Sequence, residues 1–105
     1  MKSSALKVRE DWKEKRGVVA DYVDVLKPFA DSMFSELVKN IEKGSRDYWK
    51  NCRSEMMVDE ISYHTIKLRK AIREGDNEKI LEHAADVANN SLMVADIEGV
   101  LNQNE

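Results

Sequence analysis

Two histidines sit among the acids, lysines and arginines of this chain, and the residues around each keep helical spacing. Glu60, His64 and Lys67 are separated by four and three positions, and His83, Asp86 and Asn90 by three and four. Side chains three or four apart lie on one side of a helix, so each set forms a polar stripe. Glu82 and Asn89 flank the second stripe. Imidazole and carboxylate ligate metals, and an ammonium with amides beside it suits a phosphate. The competing account is plain: a histidine on an amphipathic helix is commonly a boundary residue, and a polar stripe a wet edge.

The stripes act together only if their helices are neighbours. The helix carrying Glu60, His64 and Lys67 has Met57, Ile61, Leu68 and Ile72 on its apolar face and stops at "EGDN". There Gly75 suits a C-cap, and Asp76 or Asn77 an N-cap. So short a connection, residues 73–77, predicts antiparallel packing against the last helix. That helix is predicted from about Glu78 to Asn102, with Ile80, Ala84, Val87, Ser91 and Ala95 as a close-packing stripe. Upstream, Val19, Val23, Leu26, Ala30, Met33, Leu37 and Ile41 recur at near-heptad spacing, a seam for facing other helices. Pro28 lies within it and predicts a kink or short break. The stretch "KGSRDYWKNCRS", Lys43 to Ser54, has no periodicity, so a loop is expected there, anchored by Tyr48 and Trp49. Ser54 or Asp59 would cap the helix that follows.

Composition narrows the class. The 105 residues suit one domain, with 35% charged, 42% hydrophobic and only four Gly and one Pro, as in long amphipathic helices. No alternating strand pattern, internal repeat or low-complexity tract is present, so the fold class is all-α. The net charge of −3 is too small to point to a polyanion. Residues 1–16 hold six basic and three acidic residues, +3 locally, leaving −6 for the rest. A solvated helix face accounts for that better than a nucleic-acid arm. With Cys52 alone there is neither an internal disulfide nor a cysteine-cluster zinc site. No apolar run reaches the roughly 18 residues of a membrane span, and no signal peptide is legible, so the protein is expected to be cytoplasmic.

Two stretches carry a resemblance. "FADSMFSELVKNIEKGSRDYW", Phe29 to Trp49, looks like the opening of small MazG-like nucleotide pyrophosphohydrolases, with Phe-Ala, Met, Leu, Lys-Gly and Trp in matching places. "KLRKAIREGDNEKILEHAADVANNSLMVAD", Lys67 to Asp96, is similar to that family's helix–turn–helix, where Leu-x-x-Ala-Ile leads through Gly-Asp to Ala-Ala-Asp-Val-Ala-Asn. The resemblance implies a MazG-like antiparallel bundle of four to five helices over residues 29–105. Residues 1–28 would be a helical extension. It also implies assembly into homo-oligomers, dimers or tetramers, and cleavage of nucleoside triphosphates to monophosphate and pyrophosphate with magnesium. The family's metal is held by Glu-x-x-Glu on one helix and Glu-x-x-Asp on the next, and those positions fall at His64, Lys67, His83 and Asp86 here.

Only Asp86 keeps the family's residue type. The family's four carboxylates carry a formal −4, whereas His64, Lys67, His83 and Asp86 sum to zero with neutral imidazoles. Magnesium wants hard oxygen ligands, and a like charge at ~4 Å costs about 4 kcal/mol at an effective dielectric of 20. Magnesium-dependent hydrolysis is therefore expected to be lost or altered, leaving a nucleotide-binding or assembly role. Three other chemistries stay open. Glu60, Glu82 and Asp86 are a shifted acidic cluster for a divalent metal and an active hydrolase. His64, His83 and Asp86 suit zinc, nickel or iron. Lys67 with the two imidazoles, and with Asn89 and Asn90, would hold a nucleotide's phosphates directly. A purely structural or regulatory bundle is the remaining alternative.

Overall fold

A computed structural model describes residues 15–101, which form four helices and, among the described residues, no strand. They are α1 (Arg16–Lys39), α2 (Arg46–Trp49), α3 (Ser54–Glu74) and α4 (Asn77–Ile97). Helix α3 packs along α4, and α1 lies against another side of α4. No helix among the described residues is long and apolar enough to cross a membrane.

The hairpin of α3 and α4 follows from two adjacent residues. Gly75 takes φ 66°, the left-handed conformation glycine adopts without a Cβ penalty. The Gly75 N–H donates to the Ile72 carbonyl at 3.2 Å and the Asp76 N–H to the Ala71 carbonyl at 3.0 Å, closing the end of α3. The Asp76 carboxylate then accepts from the Lys79 N–H at 3.1 Å and opens α4. One residue stops a helix and the next starts its neighbour.

Other helix ends differ from expectation. Neither Ser54 nor Asp59 caps α3: Arg53 holds the N-cap position with no side-chain bond, and the Ser54 hydroxyl donates to the Glu98 carboxylate beyond α4. Helix α1 runs unbroken through Pro28. Next to it, the Ser32 hydroxyl donates to the Pro28 carbonyl at 3.3 Å. The stretch 43–54 is not all loop, because α2 forms inside it. Trp49 is buried there as expected, but Tyr48 is 54% exposed and anchors nothing deep. The junction between residues 28 and 29 falls inside α1. The basic N-terminal stretch lies almost wholly outside the described residues. The last helix stops at Ile97, short of the expected Asn102, and Gly99 just beyond it takes the left-handed φ of 72°.

The core is small. Trp49, Met57, Ala71 and Ala85 are its buried apolar residues, and no large side chain among the described residues is completely enclosed. The seam over residues 19–41 is only partly covered by the described residues: Val19, Met33 and Leu37 are half-buried, whereas Val23, Leu26, Ala30 and, beyond the end of α1, Ile41 are exposed. On α4 the deepest line runs through Ala85, Asn89 and Asp96, while Ser91 of the predicted stripe is exposed. The shift has a simple cause. With α1 and α3 both against α4, the deepest line lies between the two contacts.

Candidate functional site

Where α1, α3 and α4 meet, they enclose a groove of about 640 Å³. Helix α3 contributes Glu60, His64 and Lys67, α4 contributes Glu82, His83, Asp86, Asn89 and Asn90, and α1 adds Glu36. The spacings of three and four therefore deliver both stripes to one place.

Asp86 is the centre. Its Oδ2 lies 3.5 Å from His64 Nδ1 and 3.7 Å from His83 Nδ1. The two rings stand 5.7 Å apart between centroids and 32° from parallel. Each far nitrogen faces a different carboxylate: His64 Nε2 is 3.8 Å from Glu60 Oε2, and His83 Nε2 is 3.7 Å from Glu82 Oε2. Both Nδ1 atoms are buried without a hydrogen-bond partner. Burial pushes the Asp86 carboxyl above its usual range; Glu36 and Glu82 add to the rise, and His64 and His83 oppose it.

His64, His83 and Asp86 thus converge, with one ligand atom from each within 4.8 Å of the others, and no other such group occurs among the described residues. Glu60 and Glu82 stand behind the imidazoles instead of beside Asp86, so the shifted acidic cluster is not assembled in this geometry. The Lys67 ammonium sits 4.4 Å above the centroid of the Tyr63 ring, on the groove wall. Asn89 donates to the Met33 carbonyl at 3.0 Å, tying α4 to α1, and its Oδ1 is buried without a partner. Asn90 donates back to the Asp86 carbonyl at 2.9 Å. One N–H of each amide is thereby engaged within the protein.

The magnesium that the resemblance implies does not fit this donor set. Two imidazole nitrogens and one carboxylate oxygen offer one hard ligand, where a magnesium ion takes near-octahedral oxygen. Glu36 belongs to neither histidine stripe, yet it is 93% buried and its Oε2 lies 3.2 Å from Lys39 Nζ. That carboxylate raises the Lys39 pKa, chiefly by hydrogen bonding. The signal was available: Glu36 follows Met33 by three residues and precedes Asn40 by four, the same inward phase.

A second polar cluster is architectural. The Asp96 carboxylate accepts from Arg46 at 2.8 and 2.9 Å and from the Trp49 indole N–H at 2.8 Å. Lys50 Nζ donates to the Asp96 carbonyl at 2.9 Å. Hydrogen bonds from Arg46 first, then Trp49, hold the Asp96 carboxyl well below the usual carboxylate range. This cluster pins α2 to the end of α4 and explains why Trp49 is buried.

Compared with known proteins, the chain matches no family model, no curated protein and no solved structure, so the functional reading rests on the groove itself.

Proposed function

We propose that the chain is a relative of the MazG-like nucleotide pyrophosphohydrolases that binds a nucleotide by its phosphates without magnesium-dependent cleavage. The observation that carries this reading is the donor set in the groove, where His64, His83 and Lys67 stand at three of the four positions the resemblance assigns to carboxylates. A magnesium cage needs negative charge at those positions, and two imidazoles and an ammonium remove it. The same ammonium, with Lys43 on the groove wall, offers cationic partners to a phosphate, in a groove that Glu36, Glu60, Glu82 and Asp86 also line. The groove volume of about 640 Å³ lies within the range of small-ligand sites. Glu60 and Glu82 behind the imidazoles weigh against an active hydrolase built on a displaced acidic cluster.

The protein works, on this reading, as a cytoplasmic homo-oligomer. Support comes from apolar side chains left uncovered: Leu26 is 62% exposed, Phe34 68%, Ile66 68% and Ile72 58%. These side chains give a second copy apolar area to bury on both α1 and α3.

Calorimetric titration of nucleoside mono- and triphosphates in excess chelator tests the proposal. Binding should be measurable and should weaken in Lys67→Ala. In millimolar magnesium the same protein should release no pyrophosphate. Pyrophosphate release that Asp86→Ala abolishes would overturn the reading and restore the hydrolase.

A further inference from the structure

We propose that His64 Nδ1, His83 Nδ1 and Asp86 Oδ2 are the ligands of a site for a zinc-class divalent ion, with a fourth position open to the groove. The inference goes beyond nucleotide binding and does not depend on it. It starts from the convergence of three side chains from α3 and α4.

Ligands about 2.0–2.2 Å from a tetrahedral metal lie roughly 3.4 Å from one another. The Asp86 oxygen is 3.5 and 3.7 Å from the two Nδ1 atoms, and the three residues can each offer a ligand atom within 4.8 Å of the others. Small side-chain adjustments close that triangle around an ion. His83 is 93% buried, and its Nδ1 points at Asp86 with no hydrogen-bond partner; His64 Nδ1 is orphaned in the same way. Unpartnered buried nitrogens are costly, and ligation satisfies them.

The surroundings suit a metal as well. Metal-bound histidines commonly direct the far ring nitrogen to a carboxylate, which fixes the tautomer and leaves the near lone pair for the ion. Glu60 and Glu82 lie on that side of His64 and His83, at 3.8 and 3.7 Å, a small side-chain rotation away from such a hydrogen bond. A dication would relieve the desolvation that disfavours the Asp86 anion. Two imidazoles and one carboxylate select a borderline ion over magnesium or calcium. With three protein ligands, the fourth position is left for water or a guest's oxygen, as in open zinc sites. The competing arrangement has Asp86 accepting two Nδ1–H bonds and holding no metal.

Cobalt(II) separates the two. Tag-free protein, without nucleotide, is titrated with micromolar cobalt and followed by visible absorption. We expect ligand-field bands that saturate at one ion per chain and are displaced by zinc, with millimolar magnesium causing no change. Melting temperature should climb with zinc concentration, because the ion binds the folded state. His64→Ala, His83→Ala and Asp86→Asn should each weaken cobalt at least tenfold while helical circular dichroism is retained. The wild-type chain decides the matter even if a variant fails to fold: no bands and no zinc-dependent melting shift overturn the site. Undiminished cobalt binding in folded His64→Ala and His83→Ala overturns it equally. Because the nucleotide titration is done in chelator and the cobalt titration without nucleotide, either reading fails alone.

Discussion

Asn89→Leu should make the protein more stable. Asn89 is 96% buried between α1 and α4, donates one hydrogen bond to the Met33 carbonyl and leaves Oδ1 buried and unpaired. A buried acceptor without a partner costs about 1–3 kcal/mol, and a neutral hydrogen bond contributes about 0.5–1.5 kcal/mol. Met33 lies inside α1, so its carbonyl keeps the intrahelical bond from Leu37. Leucine has nearly the outline of asparagine, and its added apolar burial is set against imperfect fit, about 1–3 kcal/mol each way. What remains is the relief of the orphaned oxygen less one hydrogen bond, a gain of about 1 kcal/mol. For a domain of this size that raises Tm by about 4–8 °C. Thermal and urea melts followed at 222 nm measure it, at one fixed protein concentration so that assembly does not shift the baseline. Asn89→Ala is the control: it loses the same bond and opens a cavity, so it should destabilise. If Leu lowers Tm as much as Ala does, Oδ1 is satisfied in solution and the reasoning about the orphaned acceptor fails.

Asp86 has a raised folded pKa, so the folded state binds more protons between pH 3.8 and that value, and stability falls as pH rises through this window. In chelator, free of metal, Asp86→Asn should therefore raise Tm at pH 7, by an amount that shrinks as pH falls towards 4; the groups facing this carboxyl are His64, His83, Glu36 and Glu82. Asp96 has the opposite sign. Its stabilisation is present above its ordinary value of 3.8 and is lost as pH falls below it, so Asp96→Asn should lower Tm at neutral pH and matter less in strong acid. In the hairpin turn, Gly75→Ala should cost about 1 kcal/mol through the left-handed backbone and Asp76→Ala about 1 kcal/mol through the lost cap, both read from urea midpoints. Light scattering at micromolar concentration should give at least a dimer, and Phe34→Asp should shift it towards monomer; a wild-type monomer near 12 kDa would refute the assembly.

The hairpin was legible because its signals are local. Gly75 and Asp76 act on their own backbone, and the short link makes α3 and α4 neighbours, so spacings of three and four suffice to bring His64, His83 and Asp86 together. Non-local features were not. Periodicity over residues 19–41 says that a face wants covering but not what covers it, and Val23, Leu26 and Ile41 are left open by the described residues. Ser54 has the composition of a cap, yet its hydroxyl is taken by Glu98, which no spacing rule connects to it. Adjacent aromatics diverged for a similar reason. Trp49 has a donor that Asp96 can use 47 residues later, whereas Tyr48 lies on the solvent side of the same short helix. Asn89 and Asn90 both line the groove, and Asn90 spends one N–H on the carbonyl four residues back, but no spacing rule links Asn89 to the Met33 carbonyl 56 residues away.

The knot at Asp96 has a consequence for the order of folding. Contacts between α3 and α4 are close in sequence, and such contacts form fast because little chain entropy is lost before they are made. The bonds from Arg46 and Trp49 to Asp96 span 50 and 47 residues and require α2 to swing onto an end that α4 must already have reached. They belong to the last stage of the reaction. Weakening the knot with Trp49→Phe should therefore leave the refolding arm of a chevron almost unchanged and steepen the loss on the unfolding side. Equal slowing of refolding would place the knot in the nucleus instead. As a late-closing clasp, it sets how long the folded chain lasts more than how quickly it arrives.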